Sequence, residues 1–346
     1  MSRSLVSSRV QSLLMRLAGR AGSKPDEMFR LRKAMSRDLP VLQEMAMKEI
    51  LAGRREPLTA KWTRLPRVAA VAESQTDDLR RVVGGAAVRV GAPFYGRIAD
   101  IEIVIADRAA IASLVAWAVA EARSRRVRFA RIWLKGGRRF ALAGFGFAPA
   151  RRMWRMDRSD LKNVPAGAMP DSYRLVTLAD PLPEDTIWAA AVRKAFAAEW
   201  VGSGPDLRSW RRRQRASGFD PSLYFMLVDR SGEPGSFVLA SIITPPGSDR
   251  TAPVAMIDSV GTVPNHRRRG LARNLITIAL QRLAMRGARS ASLYVDASNA
   301  NKAYELYRAL GFRTKFEYCV WQRDLVLSDQ ARPNRRSAVA KRGRSL

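Results

Sequence analysis

Histidine and cysteine are almost missing from this chain of 346 residues, which holds one of each, His266 and Cys319. A lone cysteine excludes an internal disulfide framework and fits a reducing compartment. A lone histidine without clustered cysteines leaves no zinc-type ligand set, so no metal is expected. Acids are scarce as well: 31 Asp and Glu stand against 61 Lys and Arg, a formal net charge of +30. No apolar run reaches the roughly 18 residues that a membrane-spanning helix requires.

What is present suits two domains of moderate size, since the length exceeds one average domain and the apolar content can fill two cores. The basic excess is spread along the whole chain. It fits attraction to a polyanion such as RNA, DNA, the ribosome or an anionic membrane, and equally an Arg- and Ala-rich composition inherited from a GC-rich genome. No acid precedes Asp26, and Val6, Val10, Leu13, Leu14 and Leu17 would share one helical face. That pattern fits a mitochondrial transit peptide and also a basic amphipathic helix lying on a surface. The expected location is the cytoplasm, or the mitochondrial matrix under the first of these readings.

Hydrophobic periodicity divides the chain into two similar halves. In the first, a strand near 28–33 precedes a helix over 38–51, with Asp38 offering an oxygen to the first amides and Pro40 in the first turn. Strands follow in RVAAVAE, AAVRVGA and ADIEIVI, then a helix over 108–127, a strand FARIWL and a strand or hairpin over 147–156. The second half repeats the order: a strand over 172–178, a helix over 184–200 and strands in SLYFMLVD, SFVLASII and VAMIDSVGTV. A helix over 270–287, a strand ASLYVD, a helix NKAYELYRALG and a strand KFEYCVW complete it. Gly146-Phe147 falls where Gly311-Phe312 falls in the repeat. We therefore expect a basic extension over 1–26, domains over 27–160 and 172–327 joined by a linker over 161–171, and a disordered basic tail over 328–346.

The stretch VPNHRRRGLARNL (263–275) turns sharply from a strand into an apolar-faced helix. Pro264 ends the strand, and Gly270 permits close backbone approach at the helix start. Four amides there lack partners inside the helix and carry the positive end of its dipole, which makes an anion site. A solvated basic loop with a helix cap is the plain alternative.

This loop resembles that of the GNAT acyltransferase superfamily: Arg267, two free positions filled by Arg268 and Arg269, then Gly270, Leu271 and Ala272. The preceding VGTVP and the later VDASNANKAYELYRALGF (295–312) resemble the family's strand end and closing motif, so the likeness covers about residues 171–327. The tandem layout, GFDPSLYFMLVD and VDASN are similar to mycothiol-synthase-like members. The resemblance implies an α/β fold of two tandem GNAT-like domains, each a mixed, mostly antiparallel sheet flanked by helices. It implies acetyl-CoA as acyl donor and an amine as acceptor. The pyrophosphate would lie on the amides of Arg268 to Ala272, and the pantetheine arm would run beside Val260, Gly261, Thr262 and Val263. A backbone amide near Val260 or Gly261 would face the thioester oxygen.

Tyr307 stands at the family's tyrosine acid, although a packed aromatic would suit that position too. Asn299 either touches the pantetheine arm or caps its turn. The family often has Glu where Met256 stands. Asp258, on the same strand face, is the candidate base, and a buried structural Asp is the other reading. His266 is expected to be a loop or nucleotide contact.

The first half has no such loop, and Leu142 stands where Tyr307 does, so it reads as a degenerate copy kept as a platform. Its basic runs RSRRVRFAR and KGGRR, near Phe129, Trp133 and Trp154, suit non-specific RNA or ribosome contact. Two functions stay open: an N-acetyltransferase, whose amine is a small metabolite or sits on a ribosomal or RNA-bound partner, and a non-catalytic RNA- or ribosome-binding module. The Arg-rich stretch 200–219, expected to be a loop that sets the acceptor, points to an anionic one.

Overall fold

The computed structural model describes residues 29–51, 65–74, 80–91, 98–135, 142–165, 167–197, 205, 207–215, 219–243, 253–299 and 301–326. The N-terminal amphipathic stretch, the basic tail and most of KGGRR lie outside these residues, as do parts of 200–219.

Among the described residues twelve strands form one continuous mixed sheet. In chain order they are β1 (Phe29–Lys33), β2 (Ala69–Ser74), β3 (Val82–Val90), β4 (Ile98–Ile105), β5 (Phe129–Lys135) and β6 (Ala148–Arg158). The second half supplies β7 (Tyr173–Thr177), β8 (Tyr224–Asp229), β9 (Pro234–Ile243), β10 (Val254–Thr262), β11 (Ser290–Asp296) and β12 (Arg313–Asp324). The helices are α1 (Leu39–Leu51), α2 (Ile111–Ser124), α3 (Asp185–Phe196), α4 (Leu207–Gln214), α5 (Leu271–Met285) and α6 (Ala303–Ala309). The strand order is β1-β2-β3-β4-β5-β12-β6-β11-β10-β9-β8-β7.

That order reveals an exchange. The last strand of the first half, β6, pairs with β11 of the second, while β12 pairs with β5 of the first. The two exchanged strands pair with each other at the centre. Side-chain hydrogen bonds repeat the swap: Arg158 at the end of β6 donates to the Leu310 carbonyl, and Arg323 near the end of β12 donates to the Phe145 carbonyl. Those carbonyls precede Gly311-Phe312 and Gly146-Phe147, so the repeat read in the sequence is also a repeat in space. Phe147 and Phe312 are both buried.

Alternation along the strands fills a core on each face of both halves. In the first half, Ala72, Ala86, Val88, Ala99 and Ile132 pack against Leu114, Val115, Ala118 and Val119 of α2. Their neighbours Val71, Ala87 and Val104 pack on the other face against Leu42, Met45 and Ala46 of α1. In the second, α5 packs Leu275, Ile276, Ala279, Leu280 and Leu283 against Val238, Ile257 and Leu293. On the opposite face α3 and α4 bring Trp188 and Trp210 onto Tyr224, Met226, Phe237 and Leu239. Each Val, Leu, Ile, Phe or Met side chain so withdrawn from water contributes about 1.5–3 kcal/mol.

Two local readings need correction. Asp38 does not offer its oxygen to the first amides of α1. Its carboxylate is held at 2.7 Å by both terminal nitrogens of Arg32 and accepts from the Met35 amide. The Arg32 guanidinium thereby holds the Asp38 carboxyl below its usual range. Nor is 200–219 purely a loop, because eight of its residues form α4. With four arginines in that helix and only Trp210 buried, its apolar periodicity is too weak to read.

Candidate active site

The site begins where a strand pair ends. The parallel ladder between β10 and β11 runs from Val254↔Ser290 to Ile257↔Leu293 and stops there. Past that point β10 stays paired to β9 as far as Thr262, and β11 to β6 as far as Asp296. The two strands therefore part like a wedge from Asp258 and Tyr294 onward. Alternate peptide groups of β10 then point away from β9, into the opening.

A bulge coincides with the parting: the β9 register shifts between Ile257 and Ser259. Ile257 and Val260 both pack toward α5, with two residues between them instead of one. The extra residue re-aims this stretch, as bulges beside active sites do. Gly261 has a packing reason too, because a Cβ there would lie 2.3 Å from the Phe237 ring.

The helix mouth lies at the end of β10. A 3-10 turn, Pro264–His266, leads to Arg267, and Gly270 starts α5 at φ 75° with no side-chain cap. A Cβ at Gly270 would meet nothing within 4 Å. The first amides of α5, from Leu271 and Ala272, thus face an open mouth carrying the positive end of the helix dipole. Arg268, exposed beside it, also has positive φ, at 63°. The flanking arginines are partly committed to the fold. Arg267 donates to the carbonyls of Thr262 and Ala195, tying β10 and the C-terminal end of α3 to the loop. Arg269 donates to the Tyr173 hydroxyl and the Asn265 carbonyl.

His266 turns inward. It is buried, with Nδ1 2.8 Å from the Tyr173 hydroxyl, and this places it in the packing beneath the loop rather than at a nucleotide. Asn299 holds the turn ahead of α6, its side-chain oxygen accepting from the Asn301 amide. Val263 is buried in the α3 core, and its amide donates to the Gly235 carbonyl.

Tyr307 of α6 is buried against the α5 core, its ring edge-on to Phe312 at 6.1 Å. Burial pushes its phenol far above the usual range, so it holds its proton. Asp258 sits at the parting on the face opposite α5, half-buried. Its Oδ2 accepts from Arg213 of α4 at 2.9 Å, and Arg213 also donates to the Tyr224 hydroxyl. Burial pushes the Asp258 carboxyl up, while the Arg213 charge and hydrogen bonds from Ser241 and Arg213 pull it back. Tyr224 lies in GFDPSLYFMLVD and Arg213 in the Arg-rich stretch 200–219, yet the sequence assigned neither a role, since their meeting depends on where α4 docks.

Across the wedge, Tyr294 alternates with Leu293 and Val295, which pack toward α5, and so faces the same side as Asp258. It meets Trp133 of the first half edge-on at 6.2 Å and Tyr318 at 6.1 Å. This aromatic cluster spans the exchanged strands, and Trp133 is 38% exposed.

The first half repeats the wedge without the mouth. Its β4–β5 ladder also stops early, at Ile101↔Ile132. The turn that follows is closed by Asp107, whose Oδ1 accepts from the Ala109 amide at 2.9 Å. A carboxylate there satisfies an amide and repels an incoming phosphate. Leu142, fully buried, holds the place of Tyr307.

Residues 189–312 match the acetyltransferase (GNAT) family. A mycothiol acetyltransferase of Thermobispora bispora is 34% identical over 186 residues, covering 53% of this chain and 61% of that protein. One from Streptosporangium roseum is 29% identical over 220 residues, covering 53% and 65%. The matched region thus spans less than two thirds of the length of these curated relatives. A solved GCN5-related N-acetyltransferase from Sphaerobacter thermophilus superposes with a TM-score of 0.66 at 20% identity, over 87% of this chain and 96% of that one. A tandem GNAT protein from the clavulanic acid biosynthesis pathway gives 0.59 at 16%, over 86% and 98%. At these identities the likeness is one of fold. The loop, the wedge and the closing helix of the second half all fall within the stretch that matches the GNAT family, and the fold along most of the chain is like that of a solved tandem GNAT protein.

Proposed function

We propose that this chain is an acetyl-CoA-dependent N-acetyltransferase whose chemistry takes place in the wedge between β10 and β11. The observation that carries this reading is the ladder ending at Ile257↔Leu293 beside an uncapped helix mouth. The free edge of β10 suits a chain of amides lying along it. The open mouth suits a diphosphate, with no Cβ at Gly270 to displace it. The coenzyme supplies an acetyl thioester. Amides of Arg268, Arg269, Gly270, Leu271 and Ala272 hold its phosphates, Arg267 braces the loop, and Val260 to Val263 line the arm. The turn held by Asn299 flanks the closing helix.

The chain's residues then divide the work. Asp258 takes a proton from the acceptor ammonium, directly or through water, so that a neutral nitrogen attacks. A backbone amide of Val260 or Gly261 donates to the carbonyl oxygen as negative charge gathers there. The C–N bond forms and the C–S bond breaks, and Tyr307 gives its proton to the departing sulfur. The second proton lost from nitrogen restores Tyr307 through solvent, so one proton is released per acetyl group transferred.

Within this reading residues 172–327 form the catalytic domain, and residues 27–160 form a scaffold whose own mouth Asp107 closes. The name of the curated relatives directs the acceptor search to small-molecule amines of mycothiol chemistry. Titration calorimetry with acetyl-CoA, followed by thiol release on an amine panel, tests the proposal. The exposed arginines of α4 and of the loop leave a second reading, a polyanion-binding module. Coenzyme binding without turnover, together with salt-sensitive RNA binding, would favour it.

A further inference from the structure

The acceptor can be characterised further from α4. Its sequence, LRSWRRRQ, buries one side chain, Trp210, which stacks on Trp188 with ring centroids 6.1 Å apart and 20° between planes. The Trp210 ring nitrogen donates to Asp185 of α3 at 3.0 Å, and Gln214 donates to the same oxygen. These contacts fix the rotation of the helix. Three residues after Trp210, and so on the same side, Arg213 points inward to Tyr224 and Asp258. Its neighbours Arg208, Arg211 and Arg212 are exposed.

We propose that the acceptor is a small amine carrying an anionic group, carboxylate or phosphate, close to its nitrogen, and that Arg213 and Asp258 together recognise it. This rests on the acetyltransferase reading of the wedge and adds the charge of the acceptor. The side chains of Arg213 and Asp258 are 18% and 24% exposed, so the pair is partly desolvated yet still reached by solvent. A ligand bearing both an ammonium and an anion can exchange this internal pair for two intermolecular ones, ammonium to Asp258 and anion to Arg213. No charge is left without a partner in the exchange. An amine lacking the anion draws Asp258 away and takes that counter-charge from a half-buried guanidinium that still holds the Tyr224 hydroxyl, which is costly. It also brings positive charge toward the arginines of α4.

The exchange places the acceptor nitrogen beside Asp258, where the strands part. Arg213 suits carboxylate and phosphate alike, since its planar fork can present two parallel N–H groups to either. The two sources are separable by experiment.

The test measures thiol release from acetyl-CoA with matched acceptors: amino acids against their carboxamides, and phosphoethanolamine against ethanolamine. The anionic member of at least one series should show a kcat/KM at least tenfold higher, and which series responds tells carboxylate from phosphate. Arg213→Gln should bring the ratio of kcat/KM between the anionic and the neutral member to within about threefold of unity, whatever the change in the absolute rates. Arg213→Lys should restore part of the preference, and the exposed Arg212→Gln should change nothing. Thermal melting and acetyl-CoA calorimetry on each variant establish that fold and donor binding survive. Neutral amines turned over equally well or better would overturn the proposal and leave the acetyltransferase reading standing. So would an Arg213→Gln defect equal for both members. No turnover of either class despite coenzyme binding also overturns it. Loss of coenzyme binding in the unmodified protein removes both readings.

Discussion

Arg158 donates to the carbonyl of Leu310, across 152 residues of chain. Its counterpart Arg323 makes the mirrored bond to Phe145, so each half is latched by the last strand of the other. Charged donors to part-buried carbonyls contribute about 1.5–3 kcal/mol. Arg158→Ala and Arg323→Ala should each lower unfolding stability by roughly that amount. In urea denaturation both variants should lower the midpoint of one shared transition. If one variant splits the curve into two transitions, the halves are not cooperatively joined through the exchanged strands.

Gly270 sits in the left-handed region at φ 75° with open space where a Cβ would stand. Two effects of substitution can therefore be separated. Asn tolerates this conformation, whereas a β-branched residue is strained by about 1–2 kcal/mol. Gly270→Asn should keep the melting temperature near that of the unmodified protein yet weaken acetyl-CoA binding at least tenfold in calorimetry. Gly270→Val should lose both. Any attraction to RNA, measured by filter binding, should be unchanged in Gly270→Asn. Unaltered coenzyme affinity in Gly270→Asn would show that the mouth does not hold the phosphates.

Tyr307→Phe keeps the ring against Phe312 and removes only the hydroxyl. The core should hold, with little change in melting temperature. With a good acceptor, kcat should fall by roughly 10²–10⁴, the usual share of a positioned acid, while acetyl-CoA affinity stays the same. An unchanged kcat would leave Tyr307 as core packing alone.

Asp258 must be charged to accept a proton, and its carboxyl is pushed up by burial. Because the folded value is raised, the charged form disappears at a higher pH than for an ordinary aspartate near 3.9. The acid limb of kcat/KM should therefore lie above that ordinary range. Asp258→Asn should erase the limb and lower the plateau. If the limb persists in Asp258→Asn, another group is the base.

The elements themselves were largely legible. Gly311-Phe312 announced its equivalence to Gly146-Phe147, and the alternation in β10 and the spacing along α5 follow from each segment's own periodicity. The mouth at Gly270 was legible for the same reason, since a glycine between a strand and an apolar-faced helix leaves amides uncovered whatever surrounds them. Asp258 was reachable by counting two residues from Met256. Arg213 was not: α4 has almost no apolar face, and one tryptophan settles its orientation by stacking on a residue of another helix.

The sequence by itself determined the repeat, the strand and helix segments other than α4, the open amides at the start of α5 and the lack of a glycine loop in the first half, all of them short-range consequences of side-chain chemistry. Only the tertiary structure decided that β6 and β12 change places, that β10 and β11 part at Asp258 and Tyr294, and that Arg213 meets Asp258. A strand's pattern fixes which face it buries, but its edge hydrogen bonds are alike in every residue. Which neighbour it takes, and what that brings together, is therefore settled by packing of the whole chain.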